Sequence, residues 1–152
     1  MAYYGQNVNA FLYYGASTAT TLPAPGADSF TAVSLVEVLT PPSNEQTTGS
    51  FNVLNDSNAR TVGGKTAART VDFTIALDWL DASHQTIEAD SLVTGGQKRN
   101  WRIIYPDAGA RQYDFVAFIS KFSPQAFDAT GDAKEHGAEC TLTVDGAVTV
   151  TP

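Results

Sequence analysis

Residues 69–81 read RTVDFTIALDWLD. Val71, Phe73, Ile75, Leu77 and Trp79 fall on every second position, and Asp72, Thr74, Ala76 and Asp78 lie between them. Side chains alternate across a strand with period two, so this stretch has one apolar face and one polar face. A helix would scatter the five apolar residues around its circumference. The segment is therefore predicted to be a strand with one face against a core.

Outward from it, other segments read the same way. AECTLTV (138–144) places Ala138, Cys140, Leu142 and Val144 on one face. NWRIIY (100–105) and RQYDFVAFI (111–119) are rich in β-branched and aromatic residues, and the turn-forming 106–110 (PDAGA) should join them in a hairpin. Residues 8–14 and 31–39 are further strand candidates. AVTVT (147–151) follows Asp145-Gly146 and is expected to pair with 138–144 as a terminal hairpin. Residues 80–94 break the alternation. Asp81 or Ser83 can cap a short amphipathic helix there, and Gly95-Gly96 can stop it.

Two polar segments, 15–30 and 40–68, exceed the usual length of a connection. The second carries Phe51, Val53 and Leu54, which an isolated loop would expose to water, so they need a partner surface. No internal repeat or boundary divides the chain, and residues 1–152 are expected to form one domain.

The 152 residues include 9 Lys+Arg against 16 Asp+Glu, a net charge of −7, and 43% are hydrophobic. Such a chain can bury one core, and its acidity opposes broad binding to nucleic-acid phosphates. No apolar run approaches the ~20 residues of a membrane helix. The first residues, MAYYGQNVNAF, lack the pattern of a secretory signal. Cys140 is the single cysteine, on the apolar face of its strand, where an inert core thiol is expected.

Several motifs resolve to plainer readings. Residues 59–66 (ARTVGGKT) approximate a phosphate-binding loop, but Ala59 stands where that loop has glycine. An alternating strand follows instead of a helix, so a glycine turn is expected there. His84 and His136 belong to no nucleophile–base arrangement, and no enzymatic role is expected. Asp128, Thr130, Asp132 and Glu135 lack the spacing of a calcium loop and read as a solvated acidic turn. Lys98, Arg99 and Arg102 flank Trp101 in the single basic cluster. A single-strand nucleic-acid binder can show that footprint. On an acidic chain it is expected to meet an acidic patch of another subunit.

The segment order resembles the major tail tube proteins of long-tailed, non-contractile bacteriophages. An aromatic first strand and a long polar loop lead to RTVDFTIALDWLD and the helix beginning DASHQTI. NWRIIYPDAGARQYDFVAFISKFSP and ECTLTVDGAVTV follow. The resemblance spans roughly Val33 to Val150 and implies a mainly β fold, an antiparallel β-sandwich or distorted barrel with one short flanking helix. It implies hexameric rings stacked into a hollow tube through which double-stranded DNA passes without specific binding. It also implies tail tip, tape measure and tail terminator proteins as partners. The subunit would reside in the virion tail, and in the host cytoplasm before assembly, with no cofactor, metal or membrane. Within that picture Asp72, Thr74 and Asp78 are candidates to line the lumen. Phe51, Val53 and Leu54 are candidates for contact between rings, and Lys98, Arg99 and Arg102 for contact between subunits. The alternative is a monomeric β-sandwich binding carbohydrate, or an adhesin, through Tyr3, Tyr4, Tyr13, Tyr14, Trp101 or Tyr105.

Overall fold

A computed structural model describes residues 11–18, 21–52, 54, 57–66, 68–105, 111–125 and 137–151. Among the described residues, nine strands and one helix follow in chain order. They are β1 (Phe11–Gly15), β2 (Phe30–Ala32), β3 (Val36–Thr40), β4 (Gln46–Phe51), β5 (Arg60–Thr66), β6 (Thr70–Ala76), α1 (Ala82–Ser91), β7 (Arg99–Ile104), β8 (Gln112–Pro124) and β9 (Gly137–Thr151). Seven strands form an antiparallel sheet in the order β2-β1-β7-β8-β9-β6-β3, and β4 and β5 form a separate two-stranded arm.

The edge strands of the large sheet, β2 and β3, are consecutive in the chain with only Val33–Leu35 between them. Seven strands laid flat would hold their edges about 29 Å apart. Four Cα steps from Ala32 to Val36 reach at most about 15 Å. The sheet must therefore curl round on itself, which gives the barrel-like sandwich expected from the sequence. Its inside is one core, with Leu12, Phe73, Ile75, Trp101, Phe115 and Leu142 all essentially inaccessible.

The long strands β8 and β9 make the curl. The N-terminal part of β8 pairs with β7 through Ala117, and beyond that residue β8 pairs with β9 alone. Register shifts at Asp114/Val116 and Ile119/Lys121 bend the pair. The first of these corrects the expected terminal hairpin. Residues 137–151 form one strand, and both of its halves pair with β8 rather than with each other. Gly146, at φ 91°, supplies the bulge instead of a reversal.

Three further expectations change. Residues 31–39 split into β2 and β3 at a corner where Leu35 adopts φ 58°. The 40–68 segment contains the β4–β5 arm, so ARTVGGKT lies largely in β5 rather than in a turn. The strand predicted over 69–81 ends at Ala76: Val71, Phe73 and Ile75 are buried, but Trp79 is 44% exposed. Asp78 ends it. Its Oδ1 accepts the Leu80 N–H at 3.0 Å and its carbonyl accepts the Asp81 N–H at 3.0 Å, turning the chain before the fifth apolar position, Trp79. The helix follows as expected, with Asp81 as N-cap accepting the Ser83 N–H at 2.8 Å.

Candidate assembly surfaces

The four-stranded half β3-β6-β9-β8 has a polar outer face. Registered neighbours place Thr40, Asp72, Thr141 and Lys121 in one row across it, and Val38, Thr74, Glu139 and Ser123 in the next. Thr141 Oγ1 donates to Asp72 Oδ1 at 2.8 Å, and Lys121 Nζ lies 3.4 Å from Glu139 Oε2. Both members of that ion pair are more than half exposed, so water screens it. In these two rows two carboxylates meet one amine. A shallow hollow of about 300 Å³ runs between the rows, with Cys140 at its margin. Burial pushes the Cys140 thiol up to about 12, which suppresses the nucleophilic thiolate.

The candidate lining residues divide here. Asp72 and Thr74 share this face, whereas Asp78 lies beyond the end of β6, in the turn before α1. The alternation that placed Asp78 with them continues in the sequence after the strand has stopped.

Both sides of this half-sheet are open. β3 pairs only with β6, and past Ala117 the far side of β8 has no strand partner among the described residues. Unpaired strand edges recruit another strand unless something blocks them. Neighbouring strands here alternate in direction, so β3 and β8 run antiparallel to each other. Rotating a copy about an axis parallel to this half-sheet therefore sets β8 of one copy antiparallel to β3 of the next.

The basic cluster is largely committed within the subunit. Arg99 makes two hydrogen bonds to the Asp90 carboxylate, at 2.5 and 3.1 Å, and a third to the Gly15 carbonyl at 3.1 Å. This ties α1 to β7 and β1. Arg102 Nε donates to Asp114 at 2.8 Å, and its guanidinium lies 4.1 Å from the Phe30 ring centroid. Lys98 meets Asp145 at 2.7 Å in the open. Sequence spacing could not show these partners, because all three acids are distant in the chain.

Among the described residues, the aromatics of the alternative reading are buried or half-buried. Trp101 is 1% exposed, and Tyr14 packs against it at 6.2 Å between centroids. Tyr105 packs edge-on against Tyr113, while Tyr3 and Tyr4 lie outside the described residues. His136 and the acidic run Asp128–Glu135 also lie outside them, as does the turn 106–110.

The corner is held by side chains whose role there has no signal in the sequence. His84 is completely buried. Its Nε2 donates to the Ser34 carbonyl at 2.7 Å, and its Nδ1 accepts the Asp78 N–H at 3.0 Å. Ser34 N–H donates to Ser83 Oγ at 3.2 Å, and the Ala76 N–H to the Leu35 carbonyl at 2.9 Å. The Ser83 hydroxyl in turn hydrogen-bonds Asp81 and holds that carboxyl below its ordinary value. A second clasp centres on Asp28. Burial pushes its carboxyl up, but bonds from Ser17, Ser29 and Asn100 outweigh that and hold it below its ordinary 3.8. Gly15 has no side chain where Asp28 approaches, which lets the 15–30 segment close over β1 and β7.

With this geometry in hand, the fold can be placed among known structures. No family model matches the chain, and no curated protein matches it in sequence. Solved structures do match in fold. A chain of the sheath/tube terminator of an extracellular contractile injection system (PVC), in its extended state, superposes with a TM-score of 0.70 at 14% identity, over 99% of both chains. A tail chain of an empty gene transfer agent particle gives 0.64 at 16% identity, over 94% of this chain and 96% of that one. The SPP1 tail tube gives 0.56 at 14% identity, over 91% and 74%. The chain thus has the mainly antiparallel β fold, with one helix, that tail and tube subunits share.

Proposed function

We propose that the protein is a structural subunit of a phage-like tail tube, assembling into stacked hexameric rings around a channel that conducts double-stranded DNA. One observation carries this reading: a half-sheet with a polar outer face is open on both sides, and its two open strands are antiparallel. Six such half-sheets joined edge to edge form a closed barrel, which pairs both open edges of the half-sheet. The fold similarity to tail and tube subunits, including one from a particle tail of C6 symmetry, supports the same arrangement.

The outer face of the half-sheet then faces the lumen, with Asp72 and Thr74 in its lining. Duplex DNA carries about one charge per 1.7 Å of axis, so a cationic bore would hold it by releasing counterions. In the two rows across β3-β6-β9-β8, hydroxyls predominate and carboxylates outnumber amines. Such a wall carries no excess of positive charge to hold passing phosphates. Tail tip, tape measure and terminator proteins are the partners such a tube requires, and its place is the virion tail.

Electron microscopy of concentrated protein, alone and seeded with tail tips, tests the reading. Six-fold annuli and cylinders are the expected result. Lone particles in both preparations would overturn it.

A further inference from the structure

Two of the exposed apolar patches stand apart from the polar face. The first is the turn between β6 and α1. Leu80 is 90% exposed and Trp79 44% exposed, yet the turn that presents them is held firmly. Asp78 binds the Leu80 and Asp81 N–H groups, His84 Nδ1 accepts the Asp78 N–H, and Gln85 Nε2 donates to the Trp79 carbonyl at 2.7 Å. Apolar side chains on a rigid turn bind with little ordering cost, as interface anchors do.

The second is the β4–β5 arm. Among the described residues it makes extensive contact only within itself, and a lone two-stranded ribbon is marginal in water. Its register pairs Gly49 with Val62 and Phe51 with Arg60, so Phe51 and Val62 lie on one face of the ribbon. Gly49 leaves Val62 uncovered on that face, and Leu54 stands fully exposed beyond the end of β4. Charge is complementary as well. β4 and β5 contain Arg60 and Lys65 and no acid, whereas residues 78–88 contain Asp78, Asp81 and Glu88 and no Lys or Arg.

We propose that the Trp79–Leu80 turn is the receptor for the β4–β5 arm of a second copy of this chain, with Phe51 and Leu54 of one subunit packing on Trp79 and Leu80 of another. The two patches differ, so the contact is heterologous. Such contacts propagate from copy to copy instead of stopping at a dimer. This inference rests on the tube reading and names the surface that receives the arm.

Mixing full-length Leu54→Cys and Leu80→Cys proteins under oxidising conditions tests it. Cys140 is buried and stays silent. A disulfide-linked heterodimer is expected in assembled tubes. Leu80→Asp, at a solvent-exposed site, should keep the monomer's circular dichroism and raise the concentration needed for assembly at least about tenfold. Tubes that form without the cross-link, and at the wild-type concentration in Leu80→Asp, overturn this contact and leave the tube reading standing. Wild-type protein that never assembles overturns both.

Discussion

His84 Nε2 donates to the Ser34 carbonyl at 2.7 Å across fifty positions of sequence, and this bond fastens the helix to the corner where the curled sheet meets itself. Its other ring nitrogen accepts the Asp78 N–H that would otherwise continue β6. One buried side chain thus ends a strand, orients a helix and fixes the corner. The partners require the Nε2–H tautomer, since a carbonyl can only accept and an N–H can only donate. His84→Ala would orphan both groups and open a cavity, with an expected loss of about 2–4 kcal/mol. Urea unfolding measures that loss, and nitrogen chemical shifts report the tautomer directly.

Asp28 makes a pH-dependent contribution of known sign. Its carboxyl sits below the ordinary 3.8 in the folded protein, so it stabilises the fold above 3.8 and stops doing so as pH falls through the lowered value. Asp28→Asn should therefore be less stable than wild type at neutral pH. The gap should close in acid below pH 3.8. Denaturation curves for both proteins across that range check the sign.

Gly96 has φ 83°, and an added Cβ would lie 2.6 Å from Cδ2 of Phe118. Gly96→Ala combines left-handed backbone strain with a clash against a ring. A loss of about 1–3 kcal/mol is expected in thermal or chemical unfolding. Gly95→Ala has φ 85° but open space around it, so it should show only the backbone part.

Asp72 is exposed, and its partner Thr141 can turn to water, so Asp72→Lys should fold normally. It replaces one negative charge by one positive charge in every copy around the bore. Tubes should still form, and genome passage should slow or stall in ejection assays, with the defect relieved by salt. Normal passage at low salt would remove Asp72 from the lining.

Cys140 should resist thiol reagents in the native protein, since its thiol is buried and pushed up to about 12. Reaction with a disulfide reagent is expected only at the rate of unfolding.

Much of the fold was legible because alternation reports burial. Val71, Phe73 and Ile75 alternate as core residues do, as do Cys140 and Leu142, and the 80–94 segment reads as a helix with Asp81 or Ser83 as its cap, of which Asp81 is the one used. Alternation does not report where a strand stops. Trp79 keeps the period, but the turn at Asp78, whose carboxylate accepts the Leu80 N–H and whose carbonyl accepts the Asp81 N–H, breaks the strand before it. Asp145-Gly146 has the composition of a hairpin turn. Whether such a pair reverses the chain or bulges it depends on a neighbouring strand, here β8, that turn chemistry cannot reveal. The partners of the basic cluster were hidden for a related reason: Arg99 and Arg102 meet Asp90 and Asp114 only after folding. The corner at Leu35 had as its only signal a polar Ser34 within an apolar run.

The most direct measurement of the central claim is amide hydrogen exchange, residue by residue, in the isolated subunit and in assembled tubes. The two open strands should change together. The amides of β3 and of residues 118–123 that point to the open side should exchange readily in the subunit and become protected in the tube, while those of β6, already paired on both sides, change little. Tubes in which both edges exchange as fast as in the free subunit would show that the rings close by some other surface.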